Sequence, residues 1–246
     1  MSINYGSKDV GACLVGGRQI LGSITQLEVD RTAEVARETP VGVAAATYVA
    51  TGDKSASIAQ SGFFDASADG SNNALCEKEG TSQVLCLLNE GNVAGRRAVC
   101  AQGAFAGAYK RLASRGSRHK AQATYSASGV VEDGAILQPL ATVTTAGNTE
   151  GSSVDNGAAT ANGGAGYVQV PALTLGGYTD WTVKVRHSTN NATFVDLLSF
   201  EALTAGPAAE RKTVTGAVYQ YLATSRALTG SGSGPSLTFM VAFARG

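Results

Sequence analysis

The sequence predicts a mainly β protein built as two β-sandwich units with one short helix, and three observations predict it. Gly is abundant at 31 of 246 residues while Pro is scarce at five. The apolar residues are largely Val, Ile, Leu and Ala, mixed with Thr and Ser in short runs punctuated by Gly, Asn and Asp. Some runs alternate with a period of two, most clearly Ala121, Ala123, Tyr125 and Ala127 against Gln122, Thr124 and Ser126.

The elements follow in order. Ile24 to Val35 reads as a strand, with Ile24, Leu27 and Val29 and then Arg31, Ala33 and Val35. A small-residue stretch from Glu38 to Thr51 separates it from a second strand, Lys54 to Phe64, in which Ala56, Ile58 and Gln60 share a face. The two make a long hairpin, and connections of that length are usually mobile or functional. Asp69-Gly70-Ser71 offers a start for a short helix over Asn72 to Glu79. Strands are expected at Gln83–Leu88, Val99–Tyr109 and His119–Val131.

After Leu140 the texture changes: Thr144 to Gly166 holds Gly, Asn, Ser, Thr and Ala with almost no large apolar residue. This places a boundary between residues 1–147 and 148–246, with a linker at about 144–153. Beyond it, strands are expected at Tyr167–Val170, Trp181–His187, Phe194–Phe200, Thr213–Ala223 and Leu237–Ala244. Within the fourth, Val214 to Leu222 reads as a central strand, and the GSGSGP stretch reads as the loop before the last one.

Composition narrows the function. Charged residues make up 15%, against a usual share of about 25%, as on a surface that meets other protein or one simply rich in Gly, Ala and Thr. Nineteen basic and 19 acidic residues cancel. The chain therefore has no long-range pull toward nucleic acid or anionic membrane, and little self-repulsion. Cys13, Cys76, Cys86 and Cys100 fit no zinc spacing, the only histidines are His119 and His187, and the thiols read as buried and reduced. MSINYGSKDVG lacks the basic-then-apolar pattern of a signal peptide, and no apolar run approaches membrane-spanning length.

Catalytic signatures are thin. There is no Gly-x-Ser-x-Gly elbow, no phosphate loop and no calcium-loop spacing, which predicts a protein that is not an enzyme and needs no cofactor or metal. Charge is uneven locally: between Glu90 and Glu132 lie seven basic residues and no acidic one. Few aromatics accompany them, which disfavours a dedicated nucleic-acid module. Glu28, Asp30 and Glu34 upstream are expected to meet Arg111, Arg115 and Arg118 across a subunit interface, as complementary charges that set register. Tyr178 and Trp181 are candidate surface aromatics for a sugar, with a place in the sandwich core as the alternative.

Three segments carry a family resemblance: Gly22-Ser23-Ile24 running on to Glu38-Thr39-Pro40-Val41-Gly42, Ser61-Gly62-Phe63-Phe64-Asp65, and Ala121–Val131 followed by Glu132-Asp133-Gly134-Ala135-Ile136-Leu137. Residues 1–147 resemble the tail tube proteins of long-tailed double-stranded DNA bacteriophages. Residues 148–246 resemble the outward-facing accessory β-sandwich domains, immunoglobulin-like or carbohydrate-module-like, that some of them carry. The resemblance implies a tail-tube-type sandwich or barrel whose copies form rings, six to a ring, stacked into a hollow conduit for DNA. It implies a place in the virion tail after assembly in the host bacterial cytoplasm. The implied partners are further copies of the chain, the tape measure, distal tail and terminator proteins, and duplex DNA passing non-specifically, with no membrane. The loop bearing Glu38, Thr39, Val41, Val43, Tyr48 and Val49 becomes the ring-stacking candidate. A capsid decoration protein and a glycan- or cell-surface-binding module remain the competing readings.

Overall fold

A computed structural model describes residues 9–37, 48–67, 71–76, 79–127, 131–145 and 149–246. The chain is mainly β, as expected, with sixteen strands and one short α-helix among the described residues. The strands are β1 (Cys13–Val15), β2 (Arg18–Gln19), β3 (Ile24–Arg37), β4 (Tyr48–Phe63), β5 (Ser82–Leu87), β6 (Arg97–Leu112), β7 (Lys120–Ala127) and β8 (Val131–Val143). They continue with β9 (Thr149–Glu150), β10 (Val154–Asp155), β11 (Gly164–Thr174), β12 (Asp180–Ser188), β13 (Val195–Ser199), β14 (Ala208–Val214), β15 (Tyr221–Thr229) and β16 (Ser236–Arg245). Helix α1 spans Ser71–Leu75, shorter than the expected Asn72–Glu79.

One large sheet runs β14-β11-β16-β8-β6-β5-β1-β2 and branches at β6 into β7, β4 and β3. It curls until its ends meet. Gln169 on β11, fully buried, accepts a hydrogen bond from the Gly17 N–H at 2.7 Å and donates to the Val84 carbonyl at 3.0 Å. Gly17 sits at φ +85° in the β1–β2 turn, so close to Ala208 that a Cβ would lie 2.5 Å from its nitrogen. The enclosed space is filled by small residues (Ala12, Ala98, Ala165, Ala242, Cys86, Cys100) around Leu14, Ile136, Tyr167 and Met240. A tightly curled sheet has room for little else.

Two layers cover this curl. On one side the second sheet, β10-β15-β12-β13 with β9 on β15, packs Trp181, Val183, Val185 and Leu222 against Val168, Phe239, Val241 and Phe243. On the other, β4 and β7 lay Ile58, Ala123 and Tyr125 over Val15, Leu85, Val99 and Ala101, with Ala74 and Leu75 of α1 closing one end. β16 is therefore buried on both faces, since Phe239 and Phe243 point one way and Met240 and Ala242 the other.

Several expectations change. β16 hydrogen-bonds β8 from Leu237↔Val143 to Phe243↔Ala135, so residues 1–147 and 148–246 share one sheet. Thr149–Glu150, expected as linker, is a strand on β15. Val214–Leu222 is not one strand. Gly216 at φ +88° breaks it, leaving β14 in the large sheet and β15 in the other. Cys13, Cys86 and Cys100 are buried free thiols, whereas Cys76 is only half-buried after α1.

Candidate functional site: an open-edged polar sheet face

The β3–β4–β7–β6 unit presents the surface most suited to a function. Its register makes rungs Gln26↔Ser61↔Gln122↔Lys110 and Glu28↔Ala59↔Thr124↔Ala108, and Asp30, Ser57 and Ser126 align in a third. Side chains alternate across a strand. The interleaved set Leu27, Val29, Ile58, Ala123 and Tyr125 fills the core, which leaves this set facing outward. Glu28, Asp30, Thr124, Ser126 and Lys110 are exposed, and Ser57, Ala59, Ser61 and Gln122 half-buried. The central two strands show hydroxyls, amides and methyls along most of this face, with the exposed Lys120 of β7 beside the half-buried Phe63 of β4 at one end. A shallow groove of about 210 Å³ lies between Gln26, Glu28, Ser61, Gln122 and Thr124.

Opposite charges stand at the two lateral edges. Glu28 and Asp30 lie on β3 and Lys110 on β6, and none has a charged partner among the described residues. Both edges are open: among the described residues β3 pairs only with β4, and Ala108–Leu112 of β6 pairs only with β7. A long unpaired edge is a template for another strand. Arg31, on the inward side of β3, pins the unit to β8 through Asp133 at 2.9 and 3.0 Å.

The expected site residues are distributed as follows. Glu38, Thr39, Val41 and Val43 lie outside the described residues, while Tyr48 and Val49 pair as backbone with Arg37 and Ala36. Glu34 lies in β3. Arg111 lies on the opposite face of the unit from Glu28 and Asp30. It donates to the Asn72 side-chain oxygen at 2.8 Å and lies over Phe64 at 5.2 Å, anchoring α1. Arg115 and Arg118 are exposed on the β6–β7 hairpin, with Arg118 over the Phe63 ring at 5.3 Å. Lys110 and the hydroxyl-bearing Ser57, Ser61 and Thr124 had not been singled out. Their signal was the period-two alternation of β7, which becomes a surface only once β4 is registered beside it.

Trp181 corrects the sugar-contact expectation: it is fully buried between the two sheets, so its ring is closed to any ligand. Tyr178 is half-buried, its ring packed on Gly232. The outer face of the second sheet forms a groove of about 320 Å³ lined by Lys184, Arg186, Asp196 and Glu150. Four of its charges pair with one another, while Arg226, which also lines it, has no carboxylate partner among the described residues. Lys184 meets Asp196 at 2.6 Å, Arg186 meets Asp196 at 3.1 Å, and Arg186 pairs with Glu150. The Lys184 ammonium holds the Asp196 carboxyl below its usual value.

A half-buried triad links three strands of the large sheet. Arg211 of β14 grips Glu132 of β8 at 3.0 Å and donates to the Tyr167 hydroxyl of β11 at 2.9 Å, while that hydroxyl donates to Glu132. Burial first, then the Glu132 carboxylate, pushes the Tyr167 phenol well above its ordinary pKa, so it stays a donor. His187 is kept neutral by burial, stacked on Tyr219 at 4.1 Å and accepting the Tyr219 N–H at Nδ1. These groups hold the fold together.

No protein-family model matches the sequence, and no curated protein matches it. Among solved structures, the chain is similar to one from the virion of the native gene transfer agent particle (13% identity, 53% of this chain and 98% of that one, TM-score 0.42). It is also similar to a chain from the tail of the empty gene transfer agent particle (13%, 52% and 97%, TM-score 0.41). The Dit protein of phage SPP1 aligns over 96% of this chain and 98% of its own at 11% identity and a TM-score of 0.36. These likenesses are distant and carry no argument, so the functional reading rests on the chain's own edges and faces.

Proposed function

We propose that this chain is the structural subunit of a phage tail tube, assembling into stacked rings that form a hollow conduit for DNA. The observation that carries the reading is the β3–β4–β7–β6 unit, with its buried inner face, its small polar outer face and its two open edges. The four strands alternate in direction, so β3 and β6 run oppositely. Head-to-tail repetition places β6 of one copy antiparallel to β3 of the next, and a rotation that closes abolishes both edges of the unit.

Strand geometry sets a lower bound on ring size. With strands about 4.8 Å apart and tilted about 40°, six copies leave a bore of roughly 40 Å, whereas three leave roughly 15 Å, too narrow for a duplex about 20 Å across. Hydroxyl and amide side chains give that bore few fixed cations to hold a phosphate, as sliding DNA requires. In this reading residues 148–246 form the outer part of the ring, and the connection between β3 and β4, residues 38–47, supplies ring-to-ring contacts. Distal tail, terminator and tape measure proteins meet the tube at its ends and inside it.

Sedimentation velocity across a hundredfold concentration range tests this. A discrete ring species that gives way to long filaments supports the tube. A limiting trimer favours a capsid decoration protein, and a monomer at every concentration contradicts ring formation. The glycan-module reading gains nothing from Trp181, which is buried.

A further inference from the structure

Opposite charges stand on the same face at opposite edges of the four-stranded unit: Glu28 and Asp30 on β3, Lys110 on β6. We propose that copies of this chain are locked laterally by an ion pair between Lys110 of one copy and Asp30 of the next, with Glu28 as the diagonal neighbour. This rests on the ring reading and adds the register of the contact.

The register comes from barrel geometry. A tilt of about 35–45° with the usual strand spacing and rise demands a stagger of roughly four to six residues for each four-strand copy. An odd stagger would turn the polar face inward, so the value is even, four or six, and four is the one that sets opposite charges face to face. Within one copy the perpendicular rung joins Lys110 to Gln26. Four residues toward the C-terminal end of β3 bring Lys110 opposite Asp30, Ala108 opposite Thr32 and Leu112 opposite Glu28. Four residues the other way bring it opposite Gly22, before β3 begins at Ile24, and forfeit most of the pairing. Cross-strand partners on one face lie about 5 Å apart and diagonal ones about 7–8 Å, within reach of a lysine. The pairing also keeps the Lys110 ammonium from gripping a phosphate, leaving Lys120 at the end of β7 as the other lysine of this face.

Three proteins test it by electron microscopy and sedimentation: Lys110→Glu, Asp30→Lys and the double variant. Both positions are exposed, and circular dichroism checks that each variant is folded. Each single change sets like charges face to face, and the concentration needed for ring formation should rise about tenfold, less so in high salt. The double variant should assemble like the unmodified chain. A mixture of the two single variants should also assemble. In strict alternation the introduced glutamate of one variant faces the introduced lysine of the other, and the retained Lys110 of the second faces the retained Asp30 of the first. If the unmodified chain forms rings and the single variants form them equally well, or if neither the double variant nor the mixture recovers assembly, the ion pair is overturned while the tube stands. If the unmodified chain forms no rings, both fall.

Discussion

Gln169 shows how much one polar side chain can decide. It is fully buried, yet it closes the curl by bonding both the Gly17 N–H and the Val84 carbonyl. Replacing it with leucine keeps the volume and strands both backbone groups. Gln169→Leu is expected to cost about 2–3 kcal/mol, read from the urea midpoint at unchanged slope. His187 makes a pH prediction. Its folded pKa lies below the ordinary 6.5 because burial disfavours the imidazolium. The unfolded chain takes up the proton near pH 6.5 and the folded chain only at lower pH. Stability is therefore full above that value and declines as pH falls from 6.5 toward the folded pKa. The melting temperature should drop between pH 7.5 and 5.5, and His187→Asn, which retains an acceptor for Tyr219, should flatten that part of the profile.

At the scale of elements, the β1–β2 turn matters more than its two-residue strand suggests. Gly17→Ala would force a Cβ to 2.5 Å from the Ala208 nitrogen at a φ of +85°, pushing β14 away from the turn. A loss of at least about 2 kcal/mol is expected, seen as faster amide exchange in β14 as well as in the turn. The same scale shows what the sequence could and could not reveal. The alternation of residues 121–127 and of Ile58 and Gln60 was legible because one face of each strand is buried and the other is not. β8 was missed, and with it the strand that joins the two halves, because Ile136 and Leu137 are both buried and leave no alternation. The run from Thr213 to Ala223 misled because Val214, Val218 and Leu222 look like one strand's apolar face, while Gly216 sends them to two sheets. The polar face was only half legible. Its alternation is local, but the acidic edge and the basic edge come onto one face only through the long-range pairing of β4 with β7, such as Ser61↔Gln122. Trp181 drew notice as an aromatic, and only the packing of two sheets shows that it belongs to the core.

At the scale of the whole molecule, the two segments separated by composition depend on each other physically. The interior of the curl draws Leu14, Cys86 and Ile136 from residues 1–147, and Tyr167, Met240 and Ala242 from residues 148–246. A chain ending at residue 147 would leave β8 without its neighbour β16 and open that interior to water. Such a fragment should be recovered as aggregate, or show no cooperative melting transition, whereas the full chain melts as one unit. Among the surfaces the complete fold leaves exposed are the polar four-stranded face and its two free edges, and assembly into a tube would satisfy those edges. Negative-stain electron microscopy of the purified full chain at high concentration tests it most directly. Rings or filaments with a central hole wide enough for a duplex are expected. Solid particles, or single copies at every concentration, would contradict it.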